Sequence, residues 1–503
     1  MAKYYILGIG GSGALAIESL IHLCANGIVG DNELIIKIID PDETNENVQR
    51  TQRTIQNYIK VRSEMKQGYS EFFKTSIVFR GVWNPNKGDN YNLENGISYV
   101  QLNQENNLKF KFLTNLLFSE EKRLEKLDKG YKGNPMIGTI FMKDFEEDDI
   151  YNEMISEPSL KLFVFGSLFG GTGAAGLPVM GKSLKSNLSR ASKKSYIGSC
   201  IFLPYFNVKK PSEKQDIRLV ELKINLKPDS DNFLPAIKFA IPFYLDKAES
   251  KDNGYDSIYF LGCPDSFENS QIDFAMGGSD QKNKSHYINL IAVSSFLDFI
   301  QNEDISVKSR DSMIFATSVN KEEARLNYKN LPLNFKETEC KHIESFYVSS
   351  LFYLKYFLTE GKNTPASMTW FNHENKGLNL NESFFNNTFT DDLKTYFDKF
   401  LIWYGQISNN IVNLETFNTD FYDIDNDVLS INNFSDDKIG AYLLWKENPK
   451  PGFFTKKPLI QDLNSYFNNV TDDVKSNGSN DYQKFLDILY KGSFNFIKKN
   501  YKI

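Results

Sequence analysis

Cysteine and histidine are scarce, with four of each among 503 residues. Cys24, Cys200, Cys263 and Cys340 lie far apart and form no CxxC pair. That spacing excludes a disulfide framework and a cysteine zinc site, and predicts reduced, buried thiols. The histidines form no metal-type cluster, since His22 and His286 sit inside helix-like patterns without ligand spacing. No metal-ligand set is therefore expected, and no Ser-His-Asp or Cys-His constellation can be assembled. Apolar runs never approach the roughly 18 uninterrupted residues of a membrane span. The one early apolar run is broken by glycines and followed by an acidic stretch, unlike a cleavable leader. A soluble, cytoplasmic protein is the expectation. Positive charge is not in excess either: 58 Lys and Arg face 64 Asp and Glu, a net charge of −6, which argues against nucleic acid as a partner.

Aromatic residues are plentiful, with 41 Phe and 26 Tyr, within an ordinary 41% hydrophobic and 24% charged composition. The length exceeds what one core usually spans, so two or three domains are expected. Lys3–Leu7 reads as a buried strand, Ala14–Cys24 as a helix and Glu33–Ile39 as a second strand ending at Asp40. Such strand–helix–strand units build parallel sheets. Ser76–Trp83, Lys161–Phe165, Tyr196–Leu203 and Ser257–Leu261 read as further strands. A helix carries Leu177, Met180, Leu184 and Leu188 on one face, and Ser285–Ile300 reads as a long buried helix. Beyond about residue 340 the pattern becomes amphipathic helices: Glu344–Leu358, Asp391–Tyr404, Asp437–Trp445, Leu459–Phe467 and Tyr482–Lys498. The expected architecture is an α/β, parallel-sheet, Rossmann-type nucleotide-binding domain over 1–330, with a polar insertion at about 84–155, and a mostly α-helical domain over 331–503. The acidic run Asp144–Asp149 reads as a solvated loop or helix start.

Two glycine-rich loops each join a strand to a helix. Gly8-Ile9-Gly10-Gly11-Ser12-Gly13 opens the chain, and Gly170-Gly171-Thr172-Gly173-Ala174-Ala175-Gly176 follows the strand ending at Phe165. Small residues there allow tight turns and expose consecutive amides at a helix start, where the dipole favours a phosphate. Ser12 and Thr172 add hydroxyls, and Asp40 stands where a carboxylate reaches a ribose or a metal-bound water. The second loop is not a Walker A loop, because Lys182-Ser183 comes more than a helical turn too late. The alternative for either loop is a plain turn packing helix on strand. If the two strands neighbour each other, both helix starts can hold one phosphate chain, and the loops make one site.

The order GIGGSG, an acidic strand end, then GGTGAAG resembles the tubulin/FtsZ superfamily, and more closely its divergent bacterial tubulin-like members, over about residues 1–310. The resemblance implies a GTP or GDP site, with Mg2+ as a companion ion, and head-to-tail self-association into filaments or rings. It implies a first phosphate loop of Gly10, Gly11, Ser12 and Gly13, and a signature loop of Gly170, Gly171, Thr172, Gly173, Ala174 and Gly176. The helix 285–300 would match the central helix whose start reads the base, making Asn283 or Asn289 the candidate. Asp304, in Asn302-Glu303-Asp304, is the acidic residue that would complete a neighbour's site for hydrolysis, with Val307 at the next acidic position of the family. The helical C-terminal domain would serve assembly or a protein partner.

The segment Asp40-Pro41-Asp42 to Asn47 and Arg50 is also similar to ThiF-type, ubiquitin-activating-like adenylyltransferases, which hold ATP with an acidic strand end and an Asn-x-x-Arg segment. Asp42, Asn47 and Arg50 join the candidate site on that basis, with Arg50 and Arg53 offering positive charge. The GGTGAAG loop has no counterpart there, and the paired zinc cysteines are missing. A generic dinucleotide-binding Rossmann protein and a nucleotide-gated scaffold or sensor, for instance in plasmid or phage partition or in antiphage defence, complete the alternatives.

Overall fold

The computed structural model describes residues 1–65, 70–85, 91–96, 104–131, 133–213, 215, 230–263, 271–275, 277–318, 337–360, 368–372, 377–378, 380, 382–409, 422–423, 428–435, 439, 443, 458–476 and 480–501. Its centre is a seven-stranded parallel sheet of β1 (Lys3–Ile9), β2 (Glu33–Ile39), β3 (Ser76–Trp83), β4 (Ser159–Ser167), β5 (Lys194–Phe202), β6 (Ser257–Gly262) and β7 (Met313–Ser318), in the order β3-β2-β1-β4-β5-β6-β7. The inner strands are runs of apolar residues, as a parallel sheet covered on both faces requires. The strands and the helical C-terminal texture expected from the sequence are present; Asp437–Trp445 lies almost wholly outside the described residues.

Strand alternation sorts the helices onto two faces. On one face of β1, Tyr4 meets Phe296 edge-to-face at 5.7 Å, and Gly8 lies beneath Ile17. Those partners belong to α1 (Gly10–Ala25) and to a helix at Tyr287–Gln301; α2 (Glu46–Ser63) joins them through a 3.0 Å hydrogen bond from Thr51 Oγ1 to the Ala14 carbonyl. On the other face, the Tyr5 hydroxyl donates to Glu153 at 3.0 Å, and Ile9 abuts Gly176. That face holds α3 (Pro135–Met142), α4 (Asp149–Ser156) and α5 (Gly171–Arg190). The insertion at 84–155 thus contributes helices to the fold, and its acidic run is a helix start. Asp148 caps α4 by accepting from Ile150 N at 2.9 Å, and also pairs with the buried Lys37 at 2.9 Å.

The helix Tyr287–Gln301, α6, links β6 to its neighbour β7. This step crosses the sheet in the same direction as β4–α5–β5, yet its helix lies on the opposite face, beside α1. The crossover is therefore left-handed, whereas about 98% of parallel connections are right-handed. Its consequence is positional: the start of α6 arrives next to the first glycine loop.

A second helical layer covers α1 and α2. It comprises α7 (Glu337–Phe352), α8 (Thr388–Asn409), α9 (Leu463–Lys475) and α10 (Asp481–Asn500). Trp403 Nε1 of α8 donates to Ser19 Oγ at 2.9 Å, the Tyr396 hydroxyl to the Ile21 carbonyl at 3.1 Å, and Asn57 Nδ2 to the Asp392 carbonyl at 3.0 Å. Phe346 packs edge-to-face on Phe72 and Phe400 at 4.8 and 4.7 Å. Apolar burial runs without a break from the sheet into these helices.

Candidate functional site

β1 and β4 are hydrogen-bonded neighbours, with Gly8 opposite Phe165 and Ile9 opposite Gly166. From this pair the chain winds one way through β2 and β3 and the other way through β5, so the two glycine loops emerge side by side where the winding direction reverses. In open parallel sheets that crevice is where ligands bind. The condition for one two-loop site is met.

The loops touch. Gly10 adopts φ +74°, and a β-carbon there would lie 3.4 Å from Thr172 Cβ and 3.5 Å from Gly173 N. A β-carbon at Gly13 would stand 2.7 Å from the Phe165 carbonyl, and one at Gly173 2.6 Å from the backbone N and O of Ser167. Only glycine allows both approaches, and they set α1 and α5 with their amino ends facing one crevice. Gly11, Ser12, Thr172 and Ala174 are partly exposed there, and Gly170 and Gly171 precede and open α5. Gly176 lets α5 close on Ile9.

The rim is built from three further loops. Asp40 ends β2 in full burial and accepts from Asp42 N at 2.8 Å. Burial raises its carboxyl to about 8, the Asp42 amide offsetting this and the Asp42 carboxylate adding to it, so Asp40 holds a proton at neutral pH. Asp42 accepts from Thr44 N and Oγ1 at 3.1 and 2.8 Å and from Gly278 N at 2.5 Å. Asn47 and Asn283 pair twice, through Asn283 N to Asn47 Oδ1 at 2.8 Å and Asn47 Nδ2 to Asn283 Oδ1 at 3.3 Å. Asn45 and Asn47 amides both stand over Gly11. Arg50 grips Glu18 with Nε and Nη2, each at 2.8 Å, and reaches the Asn283 carbonyl at 2.9 Å and Ser285 Oγ at 3.1 Å. Its guanidinium thus fastens the 277–283 loop to α1.

The start of α6 carries Asn289, a candidate from the sequence, and beside it His286, which sequence reading did not assign to the site. His286 caps α6, its Nδ1 accepting from Ile288 N at 3.2 Å, while Asn289 Oδ1 accepts from His286 N at 2.8 Å. Burial lowers the imidazole to about 3, so it is neutral, and with Nδ1 as acceptor the proton is on Nε2. His286 Nε2 is a buried donor without a hydrogen-bond partner among the described residues, and Asn289 Nδ2 is a buried donor beside the Tyr205 hydroxyl. Tyr205 faces the same spot: burial raises its phenol to about 12, with Ser12 and Asn289 partly offsetting this. Its ring lies 5.2 Å from His286 and 5.9 Å from Phe169. The third rim segment comprises residues 128–131 and Gly133, of which Tyr131 and Gly133 lie against Gly171.

The crevice therefore gathers Gly10, Gly11, Ser12, Gly13, Asp40, Asp42, Asn47, Arg50, the second loop, Asn283 and Asn289. It does not gather Asp304, which is exposed on the short helix Glu303–Lys308 at the far end of α6. Lys161, near the start of β4, pairs with the neighbouring Glu303 at 2.6 Å, which puts Asp304 at the amino-terminal ends of the strands, opposite the crevice. Among the described residues no group of three or more His, Cys, Asp or Glu side chains is disposed to hold a metal, and no helix is long and apolar enough to cross a membrane.

Fold and crevice together define a Rossmann-like α/β protein with a double glycine-loop switch point. No protein-family model, curated protein or solved structure matches the chain.

Proposed function

We propose that the chain is a nucleotide-binding protein of the tubulin/FtsZ kind that takes GTP, with its phosphate chain across the two glycine loops. The observation that carries this reading is the adjacency of β1 and β4, which aims two helix amino ends and two amide-rich loops at one crevice. Gly10, Gly11, Ser12 and Gly13 would hold one side of the phosphates, and Gly171, Thr172 and Gly173 the other. Asp40 and Asp42 stand where a Mg2+-bound water or a ribose hydroxyl would be met. When bound, the ion would shield phosphate charge.

The choice of guanine over adenine rests on donor chemistry. His286 Nε2–H and Asn289 Nδ2 are both donors. Guanine presents acceptors at O6 and N7, whereas adenine presents an amino group at the corresponding edge, which would leave buried donors facing a donor. Tyr205 and Phe169 offer ring faces beside them. ATP adenylyltransfer is the weaker reading, since Arg50 is held by Glu18.

Hydrolysis and self-association form one proposal. The 15-residue α6 separates Asp304 from the crevice by about 22 Å at 1.5 Å per residue. Asp304 can therefore reach a phosphate only in another copy, stacked head to tail, and a heterologous contact of that type gives filaments or closed rings. The expected outcome is guanine nucleotide in the perchloric-acid extract of purified protein, and GTP-dependent light scattering that Asp304→Ala leaves intact while abolishing turnover. Bound adenine nucleotide would favour the ATP reading. Monomers indifferent to GTP would remove the assembly claim.

A further inference from the structure

The crevice as described is rich in amides and poor in positive charge. A nucleoside triphosphate carries about four negative charges, and two helix amino ends supply only about half a charge each. Arg50 is engaged with Glu18, Arg53 with Glu46, and Lys37 with Asp148. The second loop has no lysine in phosphate-loop register. Lys282 and Lys284, which flank Asn283 on the rim, are exposed and already have interactions of their own.

We propose that Lys129, carried by insertion residues 128–131, is the phosphate-binding cation of this site and makes it prefer triphosphates; the inference rests on the two-loop reading above. The loop is laid directly on the second glycine loop. A β-carbon at Gly171 would stand 3.0 Å from Gly133 N and 3.1 Å from Tyr131, and one at Gly130 would be 3.9 Å from Thr172 Oγ1. Gly130 and Gly133 take φ of +82° and +76°, and Tyr131 is buried as the anchor beside them. From this perch Lys129 extends across the crevice mouth to the opposite rim. Its Nζ would be 2.6 Å from a β-carbon at Gly278, its Cβ 3.1 Å from one at Gly277, and both glycines have positive φ. That rim loop is the one held by Asp42.

Lys129 has no carboxylate partner among the described residues. Asp42, the nearest acidic side chain named at this rim, is already hydrogen-bonded to Thr44 and Gly278. A solvated surface lysine has no reason to lie along a pair of left-handed glycines. A lysine that must swing inward over a bound phosphate has such a reason, because glycine leaves room for its stem. The arrangement supplies by a third loop what a phosphate-loop lysine supplies within one.

The test is a titration of wild type, Lys129→Gln, Lys129→Arg and Thr172→Glu with GTP, GDP and GMP, each without and with Mg2+. Lys129 is exposed, so Lys129→Gln should melt within a few degrees of wild type. The expected result is that Lys129→Gln lowers the GTP-to-GMP affinity ratio tenfold or more while GMP binding stays within threefold, and Lys129→Arg restores most of the ratio. An unchanged ratio in Lys129→Gln, with Thr172→Glu still abolishing binding, overturns the role of Lys129 and leaves the two-loop site standing. Wild type that binds none of the three overturns both.

Discussion

At the residue scale, burial decides which groups in the crevice are charged. Asp40 is the clearest case, its carboxyl lifted from 3.8 to about 8 by desolvation at the end of β2. The folded chain keeps this proton while the unfolded chain releases it, so the stabilising contribution is complete below pH 3.8 and fades as pH rises toward 8. Asp40→Asn should therefore melt like wild type near pH 4 and lose less stability than wild type between pH 4 and 8, as followed by thermal melts in a buffer series. Parallel melting curves for the two proteins across that range would contradict the assignment. The candidate residues were legible where backbone geometry demands glycine, because Gly13 and Gly173 are dictated by close backbone atoms of β1 and β4, and Gly10 by its φ of +74°. Asp40 was legible as a strand end. His286, Tyr205 and Lys129 were not: they come from loops scattered over 150 residues of sequence, and histidine is not among the usual helix caps. Only the folded sheet brings them to one edge.

At the element scale, the strands were readable since each inner strand is an apolar run, and the first turns of α1 and α5 were marked by small residues. The seventh strand, Met313–Ser318, lies at the lateral edge of the sheet, where partly buried Met313 and Phe315 alternate with exposed Ile314 and Ala316. Nothing local in a sequence fixes crossover handedness. The left-handed passage through α6 is enforced instead by partners on the α1 face: Tyr4 and Phe163 pack on Phe296, Tyr196 stacks on Phe299 at 3.8 Å, and the Tyr259 hydroxyl donates to Asp298 at 2.7 Å. The Arg50–Glu18 pair then fastens the loop that precedes α6 to α1. Glu18 is almost wholly buried, so removing one partner leaves an uncompensated charge and should cost about 3–5 kcal/mol. Arg50→Met and Glu18→Gln are each expected to lower the denaturation midpoint strongly. The double variant should lose less than the sum, as measured in a double-mutant cycle. Additive losses would show that the pair does not act as a unit.

At the scale of the whole molecule, the C-terminal helices are a cover for α1 and α2. The sequence marked the change of texture near residue 340 but carried no sign of the contact, because pairs such as Trp403 with Ser19 and Tyr396 with Ile21 join positions more than 370 residues apart. The His22 imidazole lies 4.8 Å from Trp403 and 5.7 Å from Phe400, in full burial that keeps it neutral. A chain ending at residue 330 would uncover that surface, and is expected to be insoluble or to lack a cooperative melt by circular dichroism. A soluble fragment with an intact melt would show that the α/β part folds alone. The coupling also has a functional side, since Gln406 of α8 accepts from Ser285 N at 2.7 Å, one residue from the cap of α6. The cover thus touches the crevice directly.

The central claim is that both glycine loops hold one nucleotide. Isothermal titration of GTP and ATP into wild type and into Ser12→Glu and Thr172→Glu tests it most directly, since each substitution puts a carboxylate into one loop at a partly exposed position. The account predicts one GTP per chain, a clear preference over ATP, and loss of at least tenfold in affinity from either substitution alone. GTP binding that survives both substitutions, or that responds to one loop and ignores the other, would contradict it.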